Sequence, residues 1–154
     1  MKAYVSGPLT SASNLHEARR FYEALALVCE ECGWEVFLPH HQTDPKMHAE
    51  VPAVTVYLHD RKALDEADLI IAQVGFPSLG VGAEIGIAFM KEKRIVGIHP
   101  VGATLSRFVT GMLTESRASR VFAYRSQEEC LETLRLLLLD WEDRPNPLAA
   151  PSKE

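Results

Sequence analysis

The sequence predicts one α/β domain, a doubly wound (Rossmann or flavodoxin-like) parallel sheet of five strands with helices on both faces. Five short runs of apolar and β-branched residues alternate with amphipathic helical patterns, which is typical of βα units joined by right-handed crossovers. The run DLIIAQV at 68–74 is almost unbroken in apolar residues, as in a central strand buried on both faces. A chain of 154 residues has room for one such domain.

The first βα unit has the clearest signals. A strand at 2–6 ends at the Gly7–Pro8 turn, and Asn14 is a suitable N-cap for an amphipathic helix that stops at Gly33. The apolar residues of this helix recur at spacings of three and four: Ala18, Phe21, Ala24, Leu25 and Val28.

The remaining elements continue the alternation. Further strands are predicted at 34–38, 68–74, 94–98 and 120–124, and further helices at 53–67, 81–91, 105–113 and 127–141. A polar loop spans 39–52. The segment at 144–154 is rich in proline and alanine, which predicts a disordered tail after a single domain at 1–143.

Charge and hydropathy argue against two classes of partner. The 16 Lys and Arg against 21 Asp and Glu give a net charge of -5 and no basic stripe, so a nucleic acid polymer is not expected. No apolar run approaches the ~20 residues of a membrane span, and the start lacks the apolar region of a signal peptide, which predicts a cytoplasmic protein without a membrane partner. A small anionic ligand stays compatible with this charge, because backbone N–H groups can hold a phosphate.

The three cysteines are interpreted as structural thiols. Cys29 and Cys32 have the C-x-x-C spacing of redox and zinc sites, but they lie late in a helical pattern and Cys130 is the one further thiol. Because an even set is missing, we expect all three to be reduced.

Candidate binding segments lie where the predicted strands end. Ligands of a doubly wound sheet bind at the carboxyl ends of the strands, where the turn after the first strand, the loop after the second and the glycine-rich turn at 75–82 meet. The glycines after the third strand have the spacing G-x-G-x-x-x-G, whereas the dinucleotide fingerprint is G-x-G-x-x-G and follows the first strand. No nicotinamide or flavin cofactor is therefore expected.

The glycine-rich turn carries groups that could bind and react. Ser78 offers a hydroxyl, the backbone from Gly80 to Gly82 offers N–H groups, and Glu84 is expected in the first turn of the next helix. A carboxylate there can simply compensate the helix dipole, worth only ~0.3–1 kcal/mol. Its place at the ligand-binding edge favours a chemical role instead, if an acidic partner is available.

Asp60 is that candidate partner. It falls on the same helical stripe as Val56, Ala63 and Ala67 and should face inward, whereas Asp65 and Glu66 should face solvent. Glycosidic cleavage uses two carboxylates, one as nucleophile and one as acid, and a separation of ~5–5.5 Å favours the covalent, retaining route.

These motifs resemble those of the nucleoside 2-deoxyribosyltransferases and the related 2′-deoxynucleoside 5′-monophosphate N-hydrolases. YVSGPL at 4–9 looks like the first-strand motif, and Asp60 with ADLIIA at 67–72 looks like the middle block. PSLGVGAEIG at 77–86 is the most specific part, and LSR at 105–107 extends the similarity weakly.

The resemblance implies a catalytic domain with three residues in the reaction. Glu84 would attack the anomeric carbon and form a 2-deoxyribosyl ester, Asp60 would protonate the leaving base, and Tyr4 would orient Glu84. Without the resemblance, Tyr4 would be interpreted as an ordinary strand tyrosine. The residues implied in substrate binding are Ser6, Gly7, Thr10, Ser78, Gly80, Gly82 and Ser106.

Two positions point to different branches of this superfamily. The transferases resemble one another in having an Asp at the place of Ser78, where it holds the sugar 5′-hydroxyl, whereas a serine can donate to a 5′-phosphate. In the hydrolases Ser106 would reach that phosphate from a neighbouring subunit, which makes a homodimer the minimal active unit. Pro8 and Thr10 favour the transferases instead, because the hydrolases carry Ser and Arg there. Ser6, Thr10 and Ser11 would replace this Arg only in part.

Hydrolysis of 2′-deoxynucleoside 5′-monophosphates is therefore the leading hypothesis, with base exchange on unphosphorylated deoxynucleosides as the alternative within the same chemistry. A non-catalytic nucleotide-binding module is the alternative of another class. It would keep the glycine-rich turn but would not need an inward-facing Asp60. A phosphoribohydrolase is less consistent with the sequence, which lacks the Gly-Gly-x-Gly-Thr turn.

The loop after the second predicted strand carries His40, His41 and His48. Three histidines can bind zinc, but adjacent side chains are expected to point in different directions and no H-x-x-x-H helix is present. The sequence therefore predicts no metal and no cofactor. A lid that stacks on the nucleobase or excludes water fits a loop of this length better.

Overall fold

The computed structural model describes residues 1–9, 14–43 and 49–141, and within them the side chains of 42 and 43 are left undescribed. Five parallel strands form one sheet in the order β2-β1-β3-β4-β5. The strands are β1 (Lys2–Ser6), β2 (Glu35–Phe37), β3 (Leu69–Gln73), β4 (Arg94–Pro100) and β5 (Ser119–Tyr124). This is the predicted doubly wound sheet, and its order reverses between β1 and β3, which is where such folds bind ligands.

Six helices accompany the sheet in the described residues. They are α1 (Leu15–Glu31), α2 (His40–Thr43), α3 (Ala53–Glu66), α4 (Leu79–Met90), α5 (Arg107–Glu115) and α6 (Gln127–Leu139). Serine or asparagine side chains cap four of them by accepting a backbone N–H bond: Asn14, Ser78, Ser106 and Ser126. The short α2 lies inside the segment that the sequence predicted as a loop.

Two apolar layers hold the helices on the sheet. Buried residues of α1 and α6 pack on one face, and those of α3, α4 and α5 pack on the other. The strand β3 contributes to both layers, with Leu69 and Ile71 on one side and Ile70 and Ala72 on the other. Its unbroken apolar run is therefore explained by burial on both faces.

The cysteines are free thiols, as the sequence predicted. Burial raises the pKa of Cys29 and of Cys130 to about 12, so neither is a reactive thiolate near neutral pH. No helix among the described residues combines the length and the apolar character that crossing a membrane requires. The predicted tail at 144–154 and Thr10, a predicted substrate-binding residue, lie outside the described residues.

Candidate active site

The strand β1 presents two hydroxyl groups to the same side of the sheet. Tyr4 and Ser6 are two residues apart and therefore share a face. They pair with Ile70 and Ala72 of β3 in the parallel ladder, and both are buried. Their hydroxyls reach α4 at the carboxyl end of the central strands.

Glu84 on α4 receives both hydroxyls. The Tyr4 hydroxyl donates to Glu84 Oε1 over 2.7 Å, and the Ser6 hydroxyl donates to Oε2. Each carboxylate oxygen therefore has its own donor, which fixes the plane of the carboxylate. The resemblance implied this role for Tyr4 but placed Ser6 among the substrate-binding residues. The period-two pattern of β1 is the signal that would have placed both residues beside Glu84.

Glu84 does not compensate the dipole of its helix. The prediction that it lies in the first turn is wrong, because Ser78 caps α4 and the helix begins at Leu79, earlier than the predicted 81. The dipole effect falls off within the first turn of a helix. Glu84 follows that turn, so the dipole no longer accounts for its position.

Burial and the nearby charge of Asp60 shift the pKa of the Glu84 carboxyl in one direction, and its hydrogen bonds shift it in the other. Burial raises its pKa, the bonds from Ser6 and Tyr4 lower it, and the charge of Asp60 raises it further, with a net rise. Burial, then the charges of Glu84 and Asp60, also raise the pKa of the Tyr4 hydroxyl strongly. Tyr4 therefore remains a protonated donor at any physiological pH.

Asp60 on α3 lies close enough to Glu84 and Tyr4 to affect both pKa values. Its side chain is 18% exposed, and its Oδ1 lies 3.8 Å from Nδ1 of His59. Of the residues predicted to share the inward face, Ala67, the C-cap of α3, is buried, and Val56, Asp60 and Ala63 within the helix are half-buried.

The carboxylates predicted to face solvent do so. Asp65 and Glu66 are exposed. Asp65 accepts hydrogen bonds from Arg61 and Lys91, and Glu66 accepts one from Lys2. Asp60, by contrast, is half-buried.

Sequence reasoning missed an aromatic contact beside the two carboxylates. Phe37 of β2 stacks on Tyr4 with ring centroids 5.4 Å apart, and His59 packs on Phe37 at 5.5 Å. The rings of Phe37 and His59 therefore form a continuous contact from Tyr4 on β1 to the residue that precedes Asp60 on α3. The sequence carried no distinctive signal for this contact, because Phe37 fits an ordinary strand residue.

Gly7 is required by packing. A Cβ at this position would come within 2.2 Å of Cζ of Tyr22, a buried ring whose hydroxyl donates to the Pro8 carbonyl over 3.2 Å. The closeness of Tyr22 fixes the turn after β1, where the sequence placed substrate contacts. Gly80 and Gly82 differ, since a Cβ at Gly82 would meet nothing within 4 Å and one at Gly80 would meet Ser78 Oγ at 4.0 Å.

Ser78 and Ser106 line one cavity of about 290 Å³ within a single chain, together with Gly82. Their hydroxyls cap two helices, α4 and α5, by accepting from Val81 N and Val109 N over 3.4 Å each. Two helix N-termini therefore border the same space. The resemblance implied that Ser106 acts from a neighbouring subunit, whereas here it lies across the cavity from the same chain's Ser78.

The two histidines at the start of α2 converge on one carboxylate. Nε2 of His40 and of His41 lie 3.3 and 3.7 Å from Oε1 of Glu23 on α1. The expectation that these adjacent side chains point in different directions is therefore wrong. His48 lies outside the described residues.

Comparison with known proteins agrees with the fold and the motifs. Residues 3–131 match the family model described as nucleoside 2-deoxyribosyltransferase. A protein of Thermofilum pendens named putative 2′-deoxynucleoside 5′-phosphate N-hydrolase 1 is 30% identical over 143 residues, covering 90% of this chain and 95% of the relative. A protein of the same name from Methanosarcina mazei is 34% identical over 112 residues, covering 70% and 66%.

A solved structure supports the same grouping. The CMP N-glycosidase of Clostridium botulinum superposes with a TM-score of 0.69 at 26% identity, covering 88% of this chain and 98% of the other. The family match spans most of the described sheet and includes Tyr4, Asp60 and Glu84. The chain belongs to the nucleoside 2-deoxyribosyltransferase family.

Proposed function

We propose that this enzyme hydrolyses the N-glycosidic bond of 2′-deoxynucleoside 5′-monophosphates and releases the free base and deoxyribose 5-phosphate. The names of the relatives from Thermofilum pendens and Methanosarcina mazei support this substrate class. The observation that carries the chemistry is the pair of hydroxyls, from Tyr4 and Ser6, that hold both oxygens of Glu84.

The first step is displacement of the base by Glu84. One carboxylate oxygen forms a bond to C1′ while the C1′–N bond breaks, and Asp60 gives a proton to the leaving base. Tyr4 and Ser6 hold the attacking carboxylate in one orientation, which reduces the entropy lost on reaching the transition state.

The second step releases the sugar from Glu84. A water molecule attacks C1′ of the ester, Asp60 takes its proton, and the Glu84 carboxylate leaves. Asp60 thereby returns to its protonated form, so that protons balance over the cycle. Exchange of bases would follow the same route with a second base in place of water.

The cavity bordered by Ser78 and Ser106 is a suitable place to bind the 5′-phosphate of the substrate. Hydroxyls that cap a helix by accepting one bond still have an O–H to donate, and helix N-termini favour anions. Gly82 lines the same cavity with no protein atom where its Cβ would stand, which leaves room for a ligand.

Base exchange on unphosphorylated deoxynucleosides is the second candidate. Pro8 favours it, because the resemblance places a serine of the hydrolases at that position, and Pro8 is buried in the turn after β1. A proline has no side-chain or backbone donor for a phosphate.

The homodimer implied by the resemblance belongs to the same proposal. Val54, Tyr57 and Leu58 form an exposed apolar stripe on α3, the helix that carries Asp60. A second subunit that covers this stripe would remove apolar surface beside the active site from water, which favours association.

The test is to incubate the protein with deoxynucleosides, their 5′-monophosphates and CMP, with and without a second free base, and to separate the products by chromatography. CMP is included because the similar Clostridium botulinum protein is named for it. Base release confined to the deoxynucleoside monophosphates supports the proposal. Base exchange on unphosphorylated nucleosides would make the enzyme a transferase.

The Glu84→Ala variant separates catalysis from binding alone. We expect it to lose turnover by at least ~10³-fold, as for loss of a covalent nucleophile. If the wild type binds nucleotides tightly but turns over none of these substrates, the protein is a binding module instead.

A further inference from the structure

A second cluster of chemically capable side chains lies outside the Glu84 site. Glu23 of α1 faces His40 and His41 of α2, and the ligand atoms of the three residues all lie within 4.8 Å of one another. The two closest approaches join Glu23 Oε1 to the Nε2 atoms of the histidines, at 3.3 and 3.7 Å. None of the three residues takes part in the proposed hydrolysis.

The separation of Glu23 Oε1 from His40 Nε2 matches the spacing of ligands around a small divalent metal. Tetrahedral Zn²⁺ with bonds of ~2.0–2.2 Å to imidazole nitrogen and carboxylate oxygen places its ligand atoms about 3.3 Å apart. The wider separations, 3.7 Å from Glu23 Oε1 to His41 Nε2 and at most 4.8 Å within the cluster, would close by rotation of the His41 ring, which is more than half exposed. The buried His40 ring sets the position of the other ligand.

We propose that Glu23, His40 and His41 form a binding site for a divalent transition metal, with Zn²⁺ as the best match and water completing the coordination. Two imidazoles and one carboxylate suit zinc and its neighbours in the first transition row. Mg²⁺ and Ca²⁺ prefer oxygen ligands and are expected to bind far more weakly.

A metal at this site would link α1 to α2. Glu23 is fixed within a long helix, whereas His40 and His41 open the short α2, which is separated from the end of β2 by two residues. The His40 ring also packs near Tyr22, with centroids 6.4 Å apart, and Tyr22 in turn contacts the Gly7–Pro8 turn. A bound metal would therefore brace α2 against the helix that supports this turn.

The test measures zinc binding to the full chain after treatment with a chelator and removal of that chelator. We expect isothermal titration to give one Zn²⁺ per chain, together with a higher melting temperature. Glu23→Gln and His41→Gln should each weaken binding by at least about tenfold, because each removes a direct ligand. Both positions are exposed, so the variants should fold, and circular dichroism without metal verifies this.

Matched controls distinguish this site from other zinc ligands. His16→Gln changes an exposed histidine elsewhere on α1, and Cys32→Ser removes the half-exposed thiol. Both controls should keep full binding. Absence of binding at one metal per chain in the wild type, or binding unchanged in both Glu23→Gln and His41→Gln, would overturn the proposal.

Discussion

At the scale of single residues, Glu84 combines burial with two hydrogen bonds that act oppositely on its ionisation. Burial and Asp60 raise its pKa above the ordinary value of 4.5, and the bonds from Tyr4 and Ser6 limit that rise. A nucleophilic carboxylate must be ionised, so activity should be lost as the pH falls through this raised pKa. The acid limb of kcat/KM should accordingly lie above pH 4.5.

Tyr4→Phe tests the hydrogen bond to Glu84. Loss of a donor to the carboxylate should raise the pKa of Glu84 further and move the acid limb of kcat/KM to higher pH, while kcat falls by about 10- to 100-fold. The pH profile distinguishes this from a packing defect, which would lower activity without moving the limb. Tyr57→Phe, on the exposed side of α3, is the control and should leave the profile unchanged.

Glu84→Gln tests the cost of burying the charge. A carboxyl whose pKa is raised in the folded state stabilises the fold below its unfolded pKa, and this contribution is lost as the pH rises through the folded pKa. The neutral amide avoids that loss. We expect the inactive variant to melt higher than the wild type at pH 7.5, by about 2–4 °C for each 1 kcal/mol gained.

The same pair of proteins should converge in acid. Near pH 4, where Glu84 is protonated in the wild type, the difference in melting temperature should shrink, because the other titrating groups are common to both. Thermal unfolding followed by circular dichroism at the two pH values gives this comparison. An equal difference in melting temperature at both pH values would show that burying the ionised Glu84 carboxylate does not destabilise the fold.

At the scale of secondary structure elements, the strands and long helices were predictable, and the site was predictable only in part. The buried run of β3 and the periodic apolar face of α1 are strong patterns, and both elements lie within two residues of their predicted bounds. The four-residue α2 has no such period, so it was missed. Its two histidines meet Glu23 through a tertiary contact that spacing along the chain does not encode.

The glycines of the two turns should respond differently to substitution. Gly7→Ala would drive a methyl group into the buried Tyr22 ring and should lower the free energy of unfolding by about 1–3 kcal/mol. Gly82→Ala, within α4 and without a nearby atom, should raise it by up to ~0.5–1 kcal/mol through helix propensity. Chemical denaturation measures both values, and a stable Gly7→Ala would contradict the packing role.

Gly82→Ala also tests the proposed phosphate cavity. If the nucleotide approaches the backbone there, the added methyl group should raise KM for monophosphates severalfold while the fold becomes more stable. An unchanged KM would place the substrate away from Gly82. Gly111→Ala on α5, which also has nothing within 4 Å of its Cβ position, is the control for a helix-propensity effect alone.

At the scale of the whole molecule, the two helical layers differ in what they expose near the site. The layer of α3, α4 and α5 carries Asp60 and Glu84, and it leaves large apolar side chains open: Val54, Tyr57, Leu58, Leu79, Met90 and Phe108. We expect this layer to form the subunit interface of a homodimer. An isologous interface on this layer would bring the active sites of the two subunits close to the contact.

Leu58→Glu and Leu27→Glu provide a matched test of that interface. Leu58 lies on α3 and is 61% exposed, whereas Leu27 lies on α1, in the opposite layer, and is 55% exposed. A charge at Leu58 should convert a dimer into monomers in sedimentation or size-exclusion measurements, because it would be buried without a partner. The same charge at Leu27 should leave the dimer intact. Dimers that persist with Leu58→Glu but dissociate with Leu27→Glu would contradict this prediction. They would show that the interface lies on the layer of α1 and α6, away from Asp60 and Glu84.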